Sequence, residues 1–301
     1  MNKTLYANGK LLIIGEYTVL DGSNAFALPC RFGQSMEVRL AESATINWKS
    51  LDADGSEWLT ASIPLADIYS SRNADATTET AMLVKVLHQA HTANPEVLTS
   101  GFDIITKLTF PRLWGLGTSS TLISLVADWF SIDPYLLLAK TFGGSGYDIA
   151  CAQQTAPLLF NLKQGIAEVT TVAFNPVFKD KLYFVYLNQK QNSREAIAAY
   201  REKVFDKEML VQQVDKLVTE AYRAQDLNTF SSALEKHEAL LSGVLGIAPV
   251  QERMFPDFKG VIKSLGAWGG DFVLAVSEDN PISYFKEKGY NTIIPYTEMV
   301  Y

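Results

Sequence analysis

Three glycine-rich segments contain the residue types that bind anions: Gly9–Gly22, Gly115–Ser120 and Gly266–Asp271. Glycine allows backbone N–H groups to approach an anion closely, and a helix N-terminus favours negative charge at the same place. The second segment leads into a predicted helix, and its three hydroxyl residues can donate to phosphate or ligate Mg²⁺. This segment therefore indicates phosphate binding, with a glycine turn and an ordinary Ser/Thr N-cap as the alternative.

A lysine and an aspartate supply the groups that phosphoryl transfer requires. Lys10 follows Gly9 at the start of an apolar strand. The alternative to a catalytic role is a lysine at a strand end whose aliphatic chain is buried while its ammonium group reaches water. Asp148 opens a helix after a glycine break, where an aspartate commonly serves as a cap. Together they form the minimum set for deprotonating an alcohol, because the lysine stabilises negative charge while the carboxylate takes the proton. The two residues support this hypothesis jointly rather than singly.

Several common kinds of site are excluded by missing motifs. The chain has no GxxxxGK[ST] sequence, and Gly115-Leu-Gly117-Thr-Ser-Ser lacks the third glycine of a dinucleotide-binding turn. The HRD and DFG motifs of protein kinases are absent as well. His88 and His91 are three residues apart on a predicted helix, but no third ligand accompanies them, so a metal site is not expected there.

The elements that position these segments follow from residue periodicity. Apolar runs and alternating patterns predict strands, and three- to four-residue spacing predicts helices. The predicted strands are Lys10–Tyr17, Ala25–Pro29, Ser35–Leu40, Ala44–Lys49, Phe102–Leu108, Lys181–Leu187 and Asp271–Ser277. The predicted helices are Thr77–Ala93, capped by Thr77 or Thr78, then one within Trp114–Phe130 that follows a glycine turn and has Thr118, Ser119 and Ser120 around its first turn, 134–141, Tyr147–Gln154 and the helical region Ser193–Ala239. Asp21-Gly22 is expected to form a hairpin turn.

Composition sets the class of protein. A chain of 301 residues exceeds the size of one hydrophobic core, which predicts two domains, at 1–165 and 166–301. A net charge of −7, without a local cluster of Lys and Arg, argues against nucleic-acid binding. Apolar runs are too short for a membrane span and no signal peptide is visible, so a cytoplasmic location is expected. Cys30 and Cys151 are expected to be two buried thiols, with a disulfide as the alternative.

In order and spacing, the three segments resemble the three motifs of the GHMP small-molecule kinases, which include galactokinase, homoserine kinase, mevalonate kinase and phosphomevalonate kinase. GKLLIIGEYTVLDG is similar to motif 1, WGLGTSSTLISLVA to motif 2 and KSLGAWGGDFVLAV to motif 3. With GSGYDIA, these motifs extend from residue 9 to residue 276. The resemblance therefore covers nearly the whole chain.

The resemblance implies an α+β fold of two domains, an N-terminal ribosomal-protein-S5-type α/β domain and a C-terminal ferredoxin-like domain, with ATP and substrate in the cleft between them. It implies Asp148 as the catalytic base with Lys10 as its charged neighbour, and Ser119 as the Mg²⁺ contact. The residues implied in nucleotide binding are Gly115, Leu116, Gly117, Thr118, Ser119 and Ser120 from motif 2, and Gly266, Ala267, Gly269 and Gly270 from motif 3. Glu16 is expected to support the site or to have a structural role.

Within the family, two details favour the phosphomevalonate kinases. GSGYDIACA and the aspartate of GAWGGD, Asp271, resemble the corresponding segments of that branch. Mevalonate kinases usually carry a glutamate eleven residues before the catalytic aspartate, and Leu137 stands there. The resemblance thus predicts an ATP- and Mg²⁺-dependent kinase of the mevalonate pathway that acts on phosphomevalonate. The alternatives are mevalonate kinase, another member such as homoserine kinase, or a non-catalytic ligand-binding homologue. The charged helical region between residues 193 and 239 is interpreted as a solvated face, with the surface of a homodimer as the alternative.

Three departures from the family motifs affect these expectations. Asn8 replaces the usual proline of motif 1, and Trp114 stands where motif 2 prefers small residues. Trp268 replaces a glycine of motif 3, in a loop that normally contacts phosphate. The two indoles either stack on the adenine or weaken ATP binding. Altered specificity is expected rather than lost catalysis, because Lys10 and Asp148 are both present.

Overall fold

The protein forms two compact units, each assembled from separate stretches of sequence. The computed structural model describes residues 2–72, 78–189, 193–268 and 271–301. The first unit contains the chain up to Gly9, Phe32–Arg112 and Leu116–Gln153. The second contains Lys10–Arg31, Leu113–Gly115 and Gln154–Tyr301. The division of the chain into 1–165 and 166–301 stays a prediction.

The first unit combines a mixed sheet with helices. Its strands, in the order β4-β3-β5-β2 with β1 paired to β2, are β1 (Asn2–Ile14), β2 (Ala25–Ala41), β3 (Thr45–Leu51), β4 (Glu57–Pro64) and β5 (Gly101–Leu108), β1 and β2 continuing into the second unit. Its helices are α1 (Leu65–Ser70), α2 (Thr78–Ala93), α3 (Thr118–Phe130), α4 (Pro134–Lys140) and α5 (Tyr147–Ala152). β3 and β5 run parallel, whereas β2 pairs with β5, and β3 with β4, in antiparallel fashion.

The core of this unit follows from the alternation seen in the sequence. Met36 and Val38 are buried on β2 while Glu37 between them is partly exposed, as expected for a half-buried strand. On α2, Leu83, Leu87 and Ala90 recur at helical spacing and are buried against the same core. The buried face of α2 thus belongs to the same hydrophobic core as the sheet. Helix α3 contributes Ile123 and Phe130 to this core.

The second unit contains an antiparallel sheet of four strands and most of the long helices. The sheet has the order β11-β8-β10-β9, and the strands are β8 (Leu182–Tyr186), β9 (Val261–Ser264), β10 (Phe272–Val276) and β11 (Ile293–Pro295). In addition, β6 (Leu158–Lys163) pairs with the first residues of β2 and with β7 (Ile166–Thr171). The helices are α6 (Ser193–Arg201), α7 (Lys207–Tyr222), α8 (Leu227–Leu245), α9 (Val250–Met254), α10 (Ile282–Glu287) and α11 (Tyr296–Met299).

Capping aspartates divide the predicted helical region 193–239 into three helices. The Asp206 side chain accepts a hydrogen bond from the Met209 N–H at the start of α7, and Asp226 accepts one from the Thr229 N–H at the start of α8. These bonds satisfy N–H groups that the first turn of a helix leaves without partners. Each helix therefore begins at a position that its own sequence specifies.

The α+β architecture is confirmed, and several local predictions change. β1 begins at Asn2, so Lys10 lies well inside a strand and not at its start. Residues Thr18–Asp21 form a 3₁₀ turn between β1 and β2, and the two-residue hairpin turn predicted at Asp21-Gly22 is wrong. Thr77 lies outside the described residues. Over the described part of the chain, no helix has the length and apolar character needed to span a bilayer. Cys30 and Cys151 are buried free thiols.

Candidate active site

The N-terminus of α3 has the geometry expected of an anion-binding helix end. Its N-cap is Gly117, in a left-handed conformation with φ 99°, and no side chain caps the helix among the described residues. The expected alternative, a Ser/Thr cap, is therefore not what the structure contains. Ser119 in the first turn is exposed, so its hydroxyl is accessible from solvent. The first-turn N–H groups and this hydroxyl together form a suitable site for phosphate oxygens.

Asp148 is joined to the same helix end through Ser120. The Ser120 hydroxyl donates to Asp148 Oδ2 at 3.1 Å and lies 3.1 Å from the Gly117 carbonyl oxygen. Asp148 lies in the first turn of α5, whose N-cap is Gly146, so the aspartate is not the cap. The first unit therefore brings together Ser120 and Asp148, two of the residues singled out in the sequence. Ser120 itself is buried, which suits a residue that orients the carboxylate.

In the second unit, Lys10 contacts the first glycine of motif 2. The Lys10 ammonium donates to the carbonyl oxygen of Gly115 at 3.1 Å. A Cβ atom at Gly115 would lie 2.3 Å from Oδ2 of Asp271, and its φ of +68° also favours glycine. Lys10, Gly115 and the Asp271 carboxylate thus meet in one place. The part of Lys10 in phosphate binding stays a prediction.

Gly9 explains how β1 approaches this segment. A Cβ atom at Gly9 would lie 2.9 Å from the carbonyl oxygen of Phe32 and 3.0 Å from that of Leu116. No side chain fits there without moving backbone. The glycine before Lys10 is therefore required by close packing of strand and loop.

The motif 3 loop is attached to the second unit by its tryptophan. Gly266 and Trp268 have φ values of 64° and 55°, and Gly269 and Gly270 lie outside the described residues. A Cβ at Gly266 would meet open space, so only its backbone conformation favours glycine. Trp268 is 3% exposed and packs with Tyr17, Tyr200 and two leucines of α8. In this structure the indole cannot stack on a nucleotide base, contrary to the first expectation for this residue. Ala267 beside it is partly exposed.

Trp114 has a different environment. Its ring lies 5.4 Å from that of Phe272 in an edge-on arrangement, and 6.3 Å from that of Tyr186. The residue is partly exposed. Burial and the nearby Asp271 carboxylate raise the pKa of the Tyr186 hydroxyl above its usual value, which keeps it neutral. Trp114 thus forms an aromatic group with Tyr186 of β8 and Phe272 of β10.

Sequence reasoning missed the partners of Glu16. Glu16 is fully buried and its Oε1 lies 2.5 Å from the Lys263 ammonium. Glu238 and His237 of α8 complete the group. The available signal was a lysine inside the otherwise apolar start of β9, Val-Ile-Lys-Ser. Since charged residues are rarely fully buried unless paired, a buried lysine implies nearby carboxylates.

Comparison with known proteins gives the fold. No protein-family profile and no curated protein sequence matches the chain. Among experimental structures, the mevalonate kinase of Methanococcus jannaschii is 16% identical, with a TM-score of 0.70 over 98% of this chain and 97% of that one. The Streptococcus pneumoniae phosphomevalonate kinase in complex with phosphomevalonate and AMPPNP is 15% identical, with a TM-score of 0.69 over 95% of each chain. This chain has the GHMP kinase fold.

A third GHMP kinase widens the range of acceptors found with this fold. The Lactococcus lactis galactokinase complexed with galactose is 15% identical, with a TM-score of 0.66 over 95% of this chain and 88% of that one. The three proteins are named for three different acceptors. The GHMP kinase fold therefore does not by itself select an acceptor, and the function must be argued from the site.

Proposed function

We propose that the protein is a small-molecule kinase that transfers the γ-phosphoryl group of ATP to an anionic metabolite of the mevalonate pathway, with phosphomevalonate as the first candidate. The observation that carries this proposal is the hydrogen bond from Ser120 to Asp148 at the start of α3. It places a carboxylate next to a helix end that suits phosphate. Lys10 at the Gly115 carbonyl supplies positive charge for the same chemistry.

For a hydroxyl acceptor, the chemistry assigns each residue a step. The acceptor oxygen forms a bond to the γ-phosphorus, the bond from that phosphorus to the bridging oxygen of ADP breaks, and the acceptor's proton passes to Asp148. Lys10 neutralises charge on the phosphates, and the N–H groups at the start of α3 hold them in position. Since phosphoryl transfer depends mainly on positioning and charge, these contacts account for most of the expected catalysis.

Mg²⁺ fits this set of residues through Ser119. The exposed hydroxyl of Ser119 is an oxygen ligand at the helix end, and Mg²⁺ in kinases is held largely by water and substrate phosphates. Among the described residues, no group of three or more His, Cys, Asp or Glu side chains could hold a metal. Leu137, which stands where mevalonate kinases usually carry a glutamate, is buried in the core of the first unit. Bound Mg²⁺ would neutralise developing charge on the transferred phosphoryl group.

The test is ADP release by purified protein with Mg-ATP and four separate acceptors: phosphomevalonate, mevalonate, homoserine and galactose. Turnover on phosphomevalonate is the expected result. Turnover on mevalonate or homoserine instead would keep the kinase and change its acceptor. Substrate binding without any ADP release would refute the kinase and favour the non-catalytic alternative. Asp148→Asn, which keeps the shape of the side chain, is the matched variant, and it should lose activity with a hydroxyl acceptor.

A further inference from the structure

A buried group of ionisable side chains lies in the second unit, apart from the residues assigned a step in the reaction. We call it the Glu16 cluster: Glu16, His237, Glu238 and Lys263, each less than 5% exposed. The Lys263 ammonium lies 2.5 Å from Glu16 Oε1 and 3.2 Å from Glu238 Oε1, and it also contacts the backbone carbonyl of Ser264. The lysine therefore has three acceptors from two carboxylates and its own strand.

Through these contacts the Glu16 cluster joins three elements. Glu238 of α8 accepts hydrogen bonds from the Ser264 N–H at 3.1 Å and from the Ser264 hydroxyl at 3.0 Å, at the end of β9. His237 Nε2 accepts a hydrogen bond from the Gly15 N–H at 3.4 Å, at the end of β1. β1 carries Lys10, and β9 leads directly into Gly266. The cluster thus connects backbone segments that belong to motifs 1 and 3.

The charges of the cluster do not balance. Burial holds the pKa of His237 well below its usual value, so the imidazole is neutral. Two carboxylates then face one ammonium, and burial raises the pKa of both Glu16 and Glu238. Among the described residues, Glu16 Oε2 has no hydrogen-bond partner and lies 3.6 Å from His237 Nε2. Such buried ion groups are weak sources of net stability, which favours a role in positioning.

The backbone beside Glu16 is strained in the same place. Tyr17 has φ 63° and ψ −51°, and the Thr18 N–H donates to the Glu16 carbonyl oxygen at 2.7 Å, which together form a γ-turn with positive φ. The Tyr17 ring stacks on Tyr200 at 5.2 Å and belongs to the apolar group that holds Trp268. Strain of this kind persists only where surrounding contacts impose it, and it concentrates near ligand sites. The turn after Glu16 and Trp268 of motif 3 therefore belong to one apolar group.

We propose that Glu16 and Lys263 are positioning residues for residues 266–268 of motif 3, holding this backbone in the conformation that binds Mg-ATP. The proposal rests on the proposed kinase function, in which this segment contacts the nucleotide. Neither side chain touches the reacting atoms. Their contribution is to fix the end of β9 against α8 and the end of β1.

Glu16→Gln tests the proposal with the least change of shape. The variant removes one charged acceptor of Lys263 and also removes the unbalanced carboxylate. We expect the dissociation constant of Mg-ATP to rise about threefold by isothermal titration calorimetry, whereas the Tm stays the same or rises. Amide hydrogen exchange in a peptide covering 261–268 should quicken. A merely structural role predicts that binding follows stability, so unchanged Mg-ATP affinity would overturn the proposal.

Lys263→Met, alone and combined with Glu16→Gln, completes a double-mutant cycle for this ion pair. The single variant leaves two unpaired buried carboxylates, so its Tm should fall and its dissociation constant for Mg-ATP should rise about tenfold. The double variant should recover part of the Tm while its dissociation constant stays within threefold of the single variant. Recovery of Mg-ATP affinity together with Tm would refute positioning. Where Lys263→Met does not fold, Glu16→Gln decides the question.

The control and the wild-type result keep the two proposals apart. Lys163→Met removes an exposed ion pair of similar length, 2.6 Å to Glu168 on β7, and should change neither Mg-ATP affinity nor exchange in 261–268. Wild-type protein that neither binds Mg-ATP nor releases ADP would refute the proposed kinase. In that case faster exchange in 261–268 of Glu16→Gln would still support the cluster's hold on the loop, and unchanged exchange would refute it.

Discussion

The buried carboxylate of Glu16 should make folding stability depend on pH in a way that Glu16→Gln removes. Desolvation is the largest cause that raises the pKa of Glu16, from 4.5 to about 7, and the Lys263 ammonium opposes it in part. The folded protein therefore binds a proton between those two pKa values that the unfolded chain does not bind. Glu16 consequently stabilises the fold most below pH 4.5, and this contribution is lost as the pH rises to about 7.

The size of the effect follows from the pKa difference. Each pKa unit corresponds to 1.36 kcal/mol, so the loss between pH 4.5 and pH 7 is about 3 kcal/mol. The other groups facing Glu16 are Glu238, His237, Lys263 and the Tyr17 hydroxyl, whose pKa burial raises. The raised pKa of Glu238 also makes the folded protein less stable as the pH rises. The lowered pKa of His237 has the opposite effect, because the folded protein gains stability as the pH rises through the pKa of the unfolded histidine. The difference between wild type and Glu16→Gln isolates Glu16.

Urea unfolding of both proteins at several pH values between 4.5 and 8 measures that difference. The stability of Glu16→Gln relative to wild type should increase by about 3 kcal/mol across this range and stay level above pH 7. Glu168→Gln, in an exposed ion pair on β7, is the matched control and should show a far smaller change. Parallel pH profiles for wild type and Glu16→Gln would refute the argument that burial raises the pKa of this carboxyl.

Three further substitutions test the site. Asp148→Asn should lower kcat for a hydroxyl acceptor by about 10²–10⁴ in the ADP-release assay, with Mg-ATP affinity within threefold of wild type; an unchanged kcat would remove Asp148 as the base. Gly115→Ala should cost about 2–3 kcal/mol in urea unfolding, since its Cβ would meet Asp271, whereas Gly55→Ala, with similar φ and open space, should cost about 1 kcal/mol. Trp268→Ala should cost about 3–5 kcal/mol by the same assay, and a neutral result would contradict its packing.

Much of the fold was predictable because the information is local. Met36 and Val38 alternate with polar residues on β2, and the observed strand has the predicted exposure. The glycine turn before Thr118 correctly predicted a helix with Thr118 in its first turn. Asp206 and Asp226 were signals for two separate helices within 193–239 that periodicity alone did not resolve. Short-range patterns were less reliable for the bounds of strands, since β1 begins at Asn2 and not at Lys10.

The parts that could not be predicted depend on contacts between distant residues. Glu16 and Lys263 are 247 positions apart. The apolar neighbours of Lys263 indicate a buried cation, but they do not identify the carboxylate that pairs with it. Trp268 was expected beside the nucleotide because the sequence gives its place in the loop but not the apolar group formed by Tyr17, Tyr200 and α8. The hydrogen bond from Ser120 to Asp148 joins residues 28 positions apart, and residue periodicity does not predict it. The contacts between side chains at the site could therefore be identified only from the tertiary structure.

The acceptor and the need for Asp148 are linked by the chemistry of the attacking oxygen. A hydroxyl acceptor holds its proton at neutral pH, so a base such as Asp148 must accept it during transfer. A phosphate acceptor has a second pKa near 6 and has mostly lost that proton at pH 7. With phosphomevalonate, then, the greater requirement is positive charge to hold two anions together, which falls on Lys10 and Mg²⁺. A larger effect of Lys10 than of Asp148 substitution would therefore favour a phosphate acceptor, and the reverse order would favour an alcohol.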